Sequence, residues 1–190
     1  MSTKAIIITR TSSSNDKAFS SLVPRLDHYK KSANHPLFLA FVAAVDAIYY
    51  VDRCFQRQVD GIRHVEEQTG FSPFHLGKPL NHHTTEEELL ELSEMSRTAS
   101  SILVSVADMT QHLQCVRVVL EALTQKQTTW KSAIPEETKA LIENTDQDIS
   151  QASLILHSHV ESDFEYADYL RERARNQLAV VCPLYISLKT

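Results

Sequence analysis

Glycine and proline are scarce, with three and six respectively in 190 residues. A sheet-rich fold needs a turn every ~8–12 residues, and this chain lacks the residues to make so many. The elements between its few breaks must be long. Gly61, Gly70 and Gly77 also stand too far apart for a GxGxxG or P-loop pattern, which excludes nucleotide sites of those classes. Neither a GxSxG elbow nor an HExxH pair occurs. Basic charge is lacking too: the net charge is −5, and the densest basic group, Arg25, His28, Lys30 and Lys31, is too small for a nucleic-acid footprint. Cys54, Cys115 and Cys182 are odd in number and widely spaced, with no CxxC. They suggest neither a disulfide framework nor a zinc site, and are expected to pack as small, reduced hydrophobes.

Long apolar runs are missing as well. The longest, Leu37–Val51, is broken by Asp46 and falls short of the ~20 residues needed to cross a bilayer. Ala5–Ile8 is too short for a signal-peptide core. The expectation is a soluble, cytoplasmic chain with no membrane insertion of its own and no affinity for nucleic acid.

What is present is helical periodicity. Hydrophobic residues at 43% and charged residues at 23% are ordinary for a globular protein, which argues against disorder throughout. Residues 1–16 read as a flexible polar lead in which Ile6–Ile8 is a stray strand at most. A short helix is expected over Lys17–Ser32, capped by Asn15 or Asp16 and kinked or split at Pro24. A long helix starts at Pro36 and ends at Thr69, with Gly70 at the left-handed C′ position. Val45, Ile48, Phe55, Val59 and Ile62 form its seam, interrupted at Asp52, and residues 36–69 would span roughly 50 Å at about 1.5 Å per residue. Residues 71–83 read as a loop whose Phe71, Phe74 and Leu76 tuck back onto the bundle.

The next helix opens with a Thr85–Glu88 capping box and a glutamate-rich first turn. Its Ile102, Val106, Met109, Leu113, Val116, Leu120 and Leu123 recur at alternating four- and three-residue steps, the strongest periodic signal in the chain and the candidate interaction seam. A turn is expected around 128–132, and Pro135 then restarts a helix running to Val181, where Pro183 stops it. Ile142, Thr145, Ile149, Ala152 and Leu156 line that helix, and Phe164, Ala167, Leu170, Ala174, Leu178 and Val181 continue the face with a drift. The implied fold is all-α: an elongated antiparallel bundle, a coiled-coil-like hairpin of three long helices plus one short N-terminal helix. The bundle covers 17–181, and 182–190 form a tail.

Catalytic chemistry is not indicated, and no catalytic or cofactor-binding residue is assigned. His157 and His159 are two apart on a helix and face different ways; pairing either with Glu161 or Asp163 gives only two ligands, short of a coordination sphere. His82-His83 reads as a polar loop. The carboxylate pairs at helix starts are explained by capping and the helix dipole, and Tyr49, Tyr50 and Trp130 read as packing residues.

Two segments carry a family likeness. The first is His35-Pro36-Leu37-Phe38-Leu39 with Ile62-Arg63-His64-Val65-Glu66-Glu67-Gln68-Thr69-Gly70, closing on a glutamate-x-x-threonine-glycine ending. The second is Leu170-Arg171-Glu172-Arg173-Ala174-Arg175-Asn176-Gln177-Leu178-Ala179-Val180-Val181. In order and spacing, residues 35–181 resemble the cytosolic helical region of fungal CorA-like divalent-cation transporters. The family's two membrane helices and Gly-Met-Asn motif have no counterpart here, as expected of a truncated form or a soluble relative, whose full-length kin would be membrane proteins. The resemblance implies a non-catalytic stalk module that oligomerises or regulates, with weak Mg²⁺ binding by surface acids. The alternative is a free-standing helical module whose seam docks a partner helix.

Overall fold

The computed structural model describes residues 17–72, 75–76, 86–130, 132 and 135–189. The expected lead at 1–16 with its capping residues, Phe74, His82-His83 and the Thr85–Glu88 capping contact lie outside the described residues. Within the described residues the architecture is all-α. Helix α1 spans Lys17–His28, a 3-10 turn Lys30–Ser32, α2 Phe38–Thr69, α3 Glu86–Trp130 and α4 Glu136–Lys189. Strands β1 (Phe71–Ser72) and β2 (His75–Leu76) pair antiparallel, Phe71 opposite Leu76 and Ser72 opposite His75. This small ladder stands where a plain loop was expected, and Phe71 is exposed, not tucked onto the bundle.

Helix ends explain most of the other departures. Helix α1 runs through Pro24 unsplit, its Leu22 buried, and the break comes later at the 3-10 turn. Helix α2 begins at Phe38, two residues after the expected start at Pro36: the His35 carbonyl accepts from the Phe38 N–H, and the Leu37 carbonyl accepts from Phe41. It closes at Gly70, whose φ of 69° is the left-handed conformation a helix stop uses. Helix α3 continues to Trp130, past the expected turn at 128. The Thr128 and Thr129 hydroxyls there donate to the Gln125 carbonyl, occupying acceptor capacity left over at a helix end. Helix α4 does not stop at Pro183, which lies inside it, so residues 182–189 are helix and not a tail. Val181 is buried, and Leu184 packs on the cluster of Val65, Leu92, Met95 and Val181. That anchorage on both sides of the proline offsets the missing N–H and the ring clash.

Contacts divide the chain into two units, Met1–Tyr50 with Leu113–Ser162, and Val51–His112 with Asp163–Thr190. The core of the first contains Phe41, Val42, Val45 and Ile48 of α2, Leu113, Val116, Leu120 and Leu123 of α3, and Ile142, Ile149 and Val160 of α4. Arg25 of α1 pairs with Asp46 at 2.7 Å and lies 4.1 Å over the Tyr49 ring; Tyr49 and Tyr50 are about half exposed, so they are not core packing residues. The core of the second contains Val51, Phe55, Val59, Ile62 and Val65 of α2, with Leu92, Met95, Ala99, Ile102, Val106 and Met109 of α3. Ala167, Leu170, Ala174 and Val181 of α4 complete it.

All seven residues of the α3 seam are buried inside the chain. Along α4 the buried face reads 142, 146, 149, 153, then half-buried Leu156, then 160, 163, 167, 170, 174, 177 and 181. Those positions alternate four- and three-residue steps without drift. The apparent drift came from Thr145, Ala152, Phe164 and Leu178, each one position away from the buried Asp146, Ser153, Asp163 and Gln177 that hold the seam.

Candidate functional site

Where α2 ends, its heptad carries two polar residues inward. Glu66 and Thr69 continue the 45-48-52-55-59-62 spacing and are buried to 3% and 2% exposure. A charge and a hydroxyl in a seam must find partners or impose a desolvation penalty. Helix α4 supplies them. The Arg173 guanidinium donates from Nε to Glu66 Oε1 at 2.8 Å and from a terminal nitrogen to Glu66 Oε2 at 2.5 Å. This bidentate fork is the strongest geometry available to a carboxylate and an arginine. The bond to Glu66 holds the Arg173 pKa above its ordinary value against the opposing effect of burial. The guanidinium also stands 5.3 Å from the Tyr169 ring, which stacks on Tyr166, and Tyr166 meets Phe55 edge-on.

One turn further along α4, Gln177 completes the cluster. Its Nε2 donates to the Phe71 carbonyl at 2.6 Å, which directs Oε1 toward the Thr69 hydroxyl, 2.8 Å away. Thr69 Oγ1 also lies 2.9 Å from the Val65 carbonyl and accepts from the Phe71 N–H at 3.4 Å. The helix stop at Gly70, the start of β1 and two turns of α4 are thus tied into one buried polar lock. What it does chemically is hold.

These four side chains come from the two segments that carry the family likeness. The likeness gave Glu66 and Thr69 as a string and Arg173 and Gln177 as another, with no indication that they touch. Arg171, in the same segment, reaches Thr110 Oγ1 of α3 at 3.3 Å and pairs with Asp168.

His157 is half-buried, while His159 and Glu161 are exposed. Arg117 lies 3.7 Å from Glu161. Cys115 and Cys182 are exposed and Cys54 is half-buried, so the expectation of three packed thiols fails for two of them. Cys182 borders a cavity of about 360 Å³ lined by Ser93, Ser96, Arg97, Ser100 and Ile186, whose small α3 side chains leave the space open.

One buried pair escaped the sequence reading. His35, 2% exposed, places Nε2 3.2 Å from Oδ1 of buried Asp146, and its Nδ1 accepts the Leu37 N–H at 3.2 Å. A histidine directly before the proline that leads into α2 was the available signal, because a side-chain acceptor there can reach the N–H two residues on. Among the described residues, no helix is long and apolar enough to cross a membrane. No protein-family model, no curated protein and no solved structure matches the chain.

Proposed function

We propose that this chain is a non-catalytic helical module of the kind found in the cytosolic stalk of CorA-like divalent-cation transporters, working through assembly in the cytoplasm. One observation carries the reading: Glu66 and Thr69 of one matching segment bond to Arg173 and Gln177 of the other. The segments lie more than 100 residues apart, and a chance likeness would give no reason for them to meet. A satisfied buried network of this kind would suit a helix junction whose register has to be held.

The α3 seam is filled within the chain. Assembly would therefore draw on other apolar positions, such as Leu154 and Ile155 in one unit or Val104 in the other, all of them well exposed. Mg²⁺ would act weakly, through one or two surface carboxylates and its own retained waters. Light scattering of the full chain with and without millimolar Mg²⁺ tests the proposal. An assembly whose mass responds to the metal supports it, and a monomer indifferent to the metal removes it.

A further inference from the structure

We propose that His35 is a proton-operated cap on the N-terminus of α2, a device independent of the assembly reading. Pro36 has no N–H to satisfy, so the Leu37 amide is the first that needs an acceptor, and His35 Nδ1 provides it. An acceptor nitrogen carries no proton, so the geometry assigns the ring to the neutral form with its hydrogen on Nε2, donated to Asp146. The ring is sealed from solvent, with no exposed side-chain surface.

A second proton has one place to go, Nδ1, and the Leu37 N–H already points there. Protonation therefore turns an acceptor into a donor facing a donor. The Leu37 amide must swing away and the first turn of α2 loses its cap. The charge so formed is drawn by the Asp146 carboxylate on α4 and opposed by the positive end of the α2 dipole. His28, Lys30 and Lys31 before α2, Lys126 on α3 and Glu143 on α4 are exposed, and Arg25 is held by Asp46. Proton uptake at His35 and opening of the α2 start are thus a single event.

Two-dimensional NMR of the full chain between pH 8 and pH 5 tests this by following the His35 ring nitrogens and the Leu37 amide protection factor together. At pH 8 the expected state is an unprotonated Nδ1 with a protected Leu37 amide. On acidification Nδ1 gains its proton and Leu37 protection falls by about fivefold or more, the scale of a lost N-cap, with the same midpoint. A ring protonated at Nδ1 at pH 8, a ring neutral down to pH 5, or a Leu37 amide that stays protected while the ring titrates would each overturn the proposal. His35→Asn supplies a non-titrating cap acceptor. This variant should keep the fold and lose the pH step, and a step that persists in it assigns the effect elsewhere.

Discussion

Arg173 grips Glu66 through two parallel hydrogen bonds, of 2.8 and 2.5 Å, inside a seam where both residues are less than one-tenth exposed. Removing one partner strands the other as a buried charge, whereas replacing both can restore an apolar seam. Glu66→Ala or Arg173→Ala alone should cost about 3–5 kcal/mol. The pair Glu66→Leu with Arg173→Met should recover most of that loss. Urea unfolding of the four proteins measures it, and equal losses in the single and double variants would show that the two residues do not act together. A raised arginine pKa contributes stability that is fully present below the unfolded value and is lost only in strongly alkaline solution. The Arg173 contribution should therefore be flat from pH 5 to pH 9.

Two glycines should respond with opposite signs. Gly70 sits at a φ of 69°, so Gly70→Ala should destabilise by about 1–2 kcal/mol, the penalty of a Cβ in the left-handed region. Gly61 lies inside α2, where an added Cβ would meet the Ile102 side chain at 3.4 Å, an ordinary contact. Gly61→Ala should therefore stabilise by about 0.5–1 kcal/mol through helix propensity. Thermal denaturation of both variants separates the cases.

Pro183 stands in the interior of α4, with Val181 and Leu184 seated on the core to either side. If packing carries the helix across the proline, Pro183→Ala should raise stability by about 1–3 kcal/mol, up to the usual penalty of an interior proline. Circular dichroism and melting temperature check both the helix content and the gain. A destabilised variant would mean that the proline suits its place.

Leu120 and Leu170 are both fully buried, one in each unit. Truncation to alanine should cost about 2–5 kcal/mol at either position. Hydrogen exchange on each variant should show the loss of protection largest in the unit that holds the cavity.

Much of this was legible in the sequence. Scarce glycine and proline gave long helices, and the α3 spacing from Ile102 to Leu123 named a buried stripe correctly at every position. The α4 stripe is less legible because Asp146, Ser153, Asp163 and Gln177 hold its buried positions, while the less polar Thr145, Ala152, Phe164 and Leu178 stand one position away. Pro183 was read by its local penalty alone, and the packing of Leu184 outweighed it. The polar lock was half legible. Glu66 with Thr69 and Arg173 with Gln177 each stood out as a string, but their contact is a tertiary fact spanning over 100 residues. His35 is hidden for another reason: its bond to the Leu37 N–H depends on local backbone geometry, and its partner Asp146 lies 111 residues away.

The claim that the chain works by metal-responsive assembly is tested most directly by the light-scattering mass of the purified full-length protein, measured without metal and again with millimolar Mg²⁺. The predicted result is a mass above that of one chain that shifts between the two conditions, and does not shift in the same way with sodium chloride of matched ionic strength. A single-chain mass, unchanged by Mg²⁺, would contradict it.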